Sequence, residues 1–134
     1  MFTISLIDNY PKILNYFLGQ CSHFMVSFPG DENCFDSDNP LMFKKDCFVG
    51  LAETTISQWD NMPNSISVSG RLTSNAKQIF VDSLSQKGLW HYILYRDGIA
   101  ILSVSDFDVG SVDIAQSEME YLLSEHILSQ NDFL

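Results

Sequence analysis

The tripeptide Arg96-Asp97-Gly98, set between the apolar runs 89–95 and 99–105, constrains this chain more than any other feature. Asp-Gly favours the positive backbone dihedrals of a tight hairpin turn, so the two runs pair as antiparallel strands. Trp90, Tyr92 and Leu94 alternate with Leu89, Ile93 and Tyr95, which makes both faces of the first strand apolar and places the hairpin (about 89–105) centrally, covered on both sides.

Helical spacing accounts for much of the rest. A first helix, about 10–18, begins after Asp8 or Asn9 with Pro11 in its opening turn and Gly19 just past its end; Ile13, Leu14, Phe17 and Leu18 share its buried face. A second, about 74–87, starts from a Thr73 or Ser74 cap, repeats Ala76, Ile79, Phe80 and Leu84, and stops at Gly88. A third, about 113–128, starts near Ser111 or Asp113 with the stripe Ile114, Ala115, Met119, Leu122, Leu123 and Ile127. Residues 23–28 read as a short strand, and Ile66 and Val68, alternating with Ser65, Ser67 and Ser69, as a half-buried one ending near Gly70.

Residues 41–59 stay ambiguous between one strand, two, or a short helix: Phe43, Cys47, Phe48, Val49, Leu51 and the β-branched Thr54, Thr55 and Ile56 suit strands, with Gly50 as a possible bulge. Runs of strands with separate helices imply a single α+β domain over 1–134, an antiparallel sheet packed by two or three helices.

With 17 acidic against 7 basic residues the net charge is -10, so nucleic acid and anionic membrane are excluded as direct ligands, since phosphate binding needs clustered Lys and Arg. Residues 1–7 lack a basic leader and are followed at once by Asp8, Asn9 and Pro11, no apolar run spans a membrane, and the three cysteines are too few for a disulfide scaffold. The expectation is a cytoplasmic protein.

The catalytic inventory is empty. There is no Gly-x-Ser-x-Gly, no His-Glu-x-x-His and no phosphate loop, and Cys21, Cys34 and Cys47, even with His23, lack the close ligand pairs of a zinc site. Neither Asp31, Glu32, Asp36 and Asp38 nor Asp106, Asp108 and Asp113 fits a calcium loop: counted from Asp36 the sixth and twelfth positions are Leu41 and Cys47, and from Asp106 they are Ser111 and Ser117. Neither a cofactor, a metal nor an enzymatic activity is expected. A small enzyme using His91 or His126 with a carboxylate is the rival.

The acids then read as a surface that steers a cationic protein partner, with Phe35 and Trp59 as apolar anchors beside them. The candidate partner-binding residues are Asp31, Glu32, Phe35, Asp36, Asp38, Trp59, Asp60, Asp106, Asp108 and Asp113. An acidic single domain with these clusters, no catalytic anchor and no export signal resembles the small bacterial immunity proteins, including those of contact-dependent growth inhibition. That resemblance implies tight one-to-one binding to a cognate toxin domain with a basic surface, such as a nuclease. An acidic mimic of nucleic acid, of the kind phages use against host enzymes, is a second binding alternative.

Overall fold

The computed structural model describes residues 1–29, 40–58, 65–86 and 89–134, with backbone alone for 40–43 and 86. In chain order the elements are β1 (Phe2–Ser5), α1 (Tyr10–Gln20), β2 (His23–Phe28), α2 (Pro40–Val49), β3 (Thr54–Gln58), β4 (Ile66–Arg71), α3 (Ser74–Ser83), β5 (His91–Arg96), β6 (Ile99–Ser105), β7 (Val109–Val112) and α4 (Gln116–Ser124). Short 3-10 turns follow at Leu84–Gln86 and Gln130–Asp132.

The strands form one antiparallel sheet in the order β1-β7-β6-β5-β2-β4-β3. This is the expected α+β fold, and the β5–β6 hairpin lies at its centre. Its turn has the expected chemistry: Asp97 and Gly98 have φ of 53° and 79°, the left-handed pair that Asp-Gly adopts at little cost. A register shift between Leu94 and Tyr95 twists the hairpin further.

Helices pack on one face only among the described residues. Phe24 and Phe28 of β2 meet Phe48 of α2, Phe80 of α3 meets Phe24 and Tyr92, and the Tyr10 hydroxyl of α1 lies 2.6 Å from that of Tyr92. Arg96, on the same face of β5, reaches Glu118 of α4. Tyr92, Leu94, Leu102 and Val104 are therefore fully covered, whereas His91, Ile93 and Tyr95 on the opposite face are half-buried. The hairpin is central; among the described residues its helices lie on one face, while the other face is half-buried at His91, Ile93 and Tyr95 and buried at the neighbouring Ser27 and Ser67.

Local signals explain most boundaries. Thr73 caps α3 by accepting from the Ala76 N–H at 3.2 Å, and Pro11 sits in the opening turn of α1. Gly19 lies inside α1 rather than beyond it, in open space on an exposed turn. α3 closes at Ser83 through a 3-10 turn, so its stop precedes Gly88, which falls outside the described residues.

The open reading of residues 41–59 is resolved, and the Gly50 bulge and the bounds of the last helix are corrected. Residues 41–51 are mostly helix, with Gly50 closing α2 by donating to the Asp46 carbonyl at 3.0 Å rather than forming a bulge; the strand of this stretch is Thr54–Gln58. The last helix runs from Gln116 to Ser124 and not over about 113–128, because Val109–Val112 is claimed by pairing with both β6 and β1 and the left-handed His126 closes the other end. Residues 1–7, read only for their lack of a leader, supply β1. No helix among the described residues is long and apolar enough to cross a membrane.

Candidate binding surface

Strand pairing carries residues of one face into rows. On the face without helices one row reads Thr3, Ser111, Ser103, Ile93, Met25, Ser69 and Thr55, and the next Ser5, Val109, Ser105, His91, Ser27, Ser67 and Ser57. Hydroxyls dominate both rows. The Ser27 and Ser67 hydroxyls, both buried, lie 2.8 Å apart, so the serines that alternate with Val68 and Ile66 are partners across strands and not merely solvated positions.

Among the described residues no carboxylate lies in a strand, and the charged strand residues are Arg71 and Arg96. Both are matched, Arg71 to Glu53 at 3.4 Å and Arg96 in a two-point bond to Glu118 at 2.9 and 3.1 Å. The Tyr16 hydroxyl donates to Glu118 at 2.6 Å. The hydrogen bonds from Arg96 foremost hold the Glu118 carboxyl below the usual carboxylate range. Lys44 is buried on α2. The described acids stand instead outside the strands, and Asp46, Asp97, Asp106, Asp113, Glu120 and Glu125 are exposed.

One end of the sheet collects several of the sequence candidates. Ser5, Phe28, Gln58, Ile66, His91, Ser105 and Val109 all terminate strands there by register. Asp106 and Asp108 stand on the β6–β7 turn at this end, with Asp106 and Phe107 held at φ of 51° and 74°. Asp tolerates that region, but a phenylalanine there is an outlier that the surroundings must enforce; the Phe107 N–H donates to the Trp90 carbonyl at 3.1 Å, and its ring packs against the core.

Asp113 is not part of this group. It follows β7 at the opposite end, beyond four residues of strand, roughly 15 Å from the β6–β7 turn at ~3.3 Å per residue. Asp31, Glu32, Phe35, Asp36, Asp38, Trp59 and Asp60 lie outside the described residues. The segments that carry them leave the described chain after Pro29 and between Gln58 and Ser65, at the end that bears Asp106 and Asp108.

The histidines do not converge. His23 and His91 occupy opposite ends of paired strands on the face without described helices, and His126 lies on the turn after α4. His91 Nδ1 lies 3.5 Å from Ser105 Oγ, at the outer limit of a hydrogen bond. Burial holds its pKa below the ordinary histidine value, with Asp106 opposing. His126, at φ of 58°, serves the backbone: its N–H donates to Leu123 and the next N–H, of Ile127, to Leu122, which is the hydrogen-bond pair that closes a helix through a left-handed residue.

Cys21 is buried, its thiol pushed up to about 11 by desolvation, and Cys47 is half-buried; Cys34 lies outside the described residues. Among the described residues no group of three or more His, Cys, Asp or Glu is placed to hold a metal. What the surface offers chemically is fixed negative charge beside a hydroxyl-rich, uncharged sheet face. Sequence reasoning found the acids, but that face escaped it, although the alternating serines of residues 65–69 and 103–105 were the available signal. No family model, curated protein or solved structure matches the chain.

Proposed function

We propose that this chain is a small cytoplasmic acidic inhibitor that binds and neutralises a basic protein, as the immunity protein of a bacterial toxin domain, and that it has no enzymatic activity of its own. The observation that carries the reading is the unmatched carboxylate surplus: -10 overall, with Arg71 and Arg96 already engaged by Glu53 and Glu118 and the exposed acids held off the sheet. Uncompensated carboxylates raise the encounter rate with a cationic surface and reject anionic ones.

The end of the sheet bearing Asp106 and Asp108 is the side that meets the toxin. It is also where the chain departs toward Asp31, Glu32, Phe35, Asp36 and Asp38, and toward Trp59 and Asp60. The strained Asp106-Phe107 turn supports this choice, because backbone held in a costly conformation is concentrated where a surface must be presented in one shape. Asp113, at the other end, contributes to the field but not to the contact.

The test is capture of basic toxin nuclease domains by the full chain, followed by association kinetics over a salt series. A stable one-to-one complex is expected, with an association rate that falls about 10-fold or more from low to high salt and several-fold on joint Asp106→Asn and Asp108→Asn substitution. Failure to hold any such domain, or an association rate indifferent to salt, removes the proposal.

A further inference from the structure

The two edges of the sheet are finished differently. At one edge β1 is covered by the end of the chain: Ile4 bridges Phe133 in antiparallel sense, and the Leu134 N–H donates to the Thr3 carbonyl at 3.0 Å. At the other, β3 has β4 on its inner side and, among the described residues, no strand on its outer side. An open edge strand is a template for another chain unless lysine, proline, a bulge or an inward charge spoils it. Thr54–Gln58 has none of these. It reads Thr-Thr-Ile-Ser-Gln, pairs regularly with β4, and exposes Thr55, Ile56, Ser57 and Gln58.

That short sequence is complementary to itself. A two-fold axis perpendicular to the sheet and passing beside Ile56 sets Thr54 opposite Gln58 of a second copy, Thr55 opposite Ser57, and Ile56 opposite Ile56. All five residues then pair, hydroxyls meet a hydroxyl or an amide, and the 50% exposed Ile56 covers its twin. No like charges are opposed within the strand, which matters in a chain of net charge -10. In an antiparallel edge alternate residues carry the outward N–H and C=O groups, and this register matches them whichever set it is, since the axis exchanges each set with itself.

We infer that β3 is a self-association edge: two copies join their sheets through antiparallel β3 strands centred on Ile56. The perpendicular axis keeps both helix layers on one side of the joined sheet. A five-residue pairing falls below a standard-size interface, so the dimer is weak. Repulsion between two acidic chains opposes it, and salt relieves that repulsion, so the dimer strengthens with ionic strength. This is the reverse of the salt dependence expected for a basic partner.

Sedimentation of the full chain from micromolar to millimolar concentration, at about 0.05 and 0.5 M NaCl, tests it. Dimer is expected to accumulate with concentration and more so at the higher salt, and Ile56→Lys, at an exposed position, to weaken association at least tenfold while circular dichroism stays unchanged. Cross-linking reads the register. In a Cys34→Ser, Cys47→Ser background, Ile56→Cys forms a disulfide dimer because opposed Cα atoms lie about 4.5–5.5 Å apart. Thr54→Cys does not, since equal residues then stand roughly 13 Å apart along the strands. A monomer at every concentration and salt, association that weakens with salt, or equal cross-linking by both cysteine variants overturns the inference.

Discussion

His126 shows how a residue that looks chemical from the sequence is claimed by the backbone. Beside the apolar stripe of the last helix it invites an acid–base role, yet in the fold it is the left-handed residue that ends α4, and its ring is exposed. A non-glycine residue pays about 1 kcal/mol for that conformation. His126→Gly is therefore expected to stabilise the protein by about 1 kcal/mol, less the entropy glycine adds to the unfolded chain, as read from the urea midpoint. A loss of stability would mean that the imidazole does more than close the helix. Thr73 is the opposite case. Its capping role was legible from a threonine preceding an apolar-periodic run, because the hydroxyl-to-Ala76 bond is local and needs no tertiary partner.

Among the elements, those with strong local grammar matched the reading and those without it did not. The hairpin followed from Asp97-Gly98, and α1 and α3 from their spacing. α2 stayed undecided because Phe43, Cys47, Phe48 and Val49 are strand formers as readily as helix formers, and what selects the helix is the seat of Phe48 against Phe24, Phe28 and Phe80. β7 escaped because four residues carry little periodicity, and its identity comes from the two neighbours between which it is held. The end of the chain is likewise an element made by pairing: Phe133 bridges Ile4 and sets its ring edge-on to Phe2 at 6.2 Å. Deleting Phe133 and Leu134 is expected to cost about 2 kcal/mol of stability, the order of one apolar ring uncovered, and to leave β1 open to pairing. Denaturant titration and sedimentation of the truncated chain check both. Unchanged values for both would make the terminal pairing incidental.

At the scale of the whole molecule, helix layer and sheet are joined by a core that also holds polar pins. The Tyr10 and Tyr92 hydroxyls lie between α1 and the centre of the sheet; burial foremost pushes the Tyr10 phenol up to about 12 and that of Tyr92 well above its ordinary value. In the unfolded chain both ionise near pH 10, so between pH 10 and the folded values the unfolded state holds fewer protons than the native one. The stability they supply is thus intact below about pH 10 and lost as pH rises toward 12. Denaturation measured from pH 8 to about 11.5 should show stability falling above pH 10, with a shallower slope for Tyr92→Phe; equal slopes would dissociate the pair from the alkaline limb.

Legibility of the candidate surface divides along the same line. Net charge, the acids' absence from apolar runs and the missing catalytic spacings are properties of composition and short-range order, and the sequence alone settled them, as it did the hairpin, the α+β class and the first and second of its expected helices. The grouping of acids was different: Asp106, Asp108 and Asp113 are close in sequence, but a strand of four residues between them sends Asp113 to the far end of the sheet. Which face the helices cover, which serines meet across strands, where β1 and β7 pair and which strands end the described sheet were decided by tertiary structure alone. Each of these depends on contacts between residues distant along the chain, whose free energy appears only when the segments meet, whereas caps, turns and charge act within a few residues and can be read before folding.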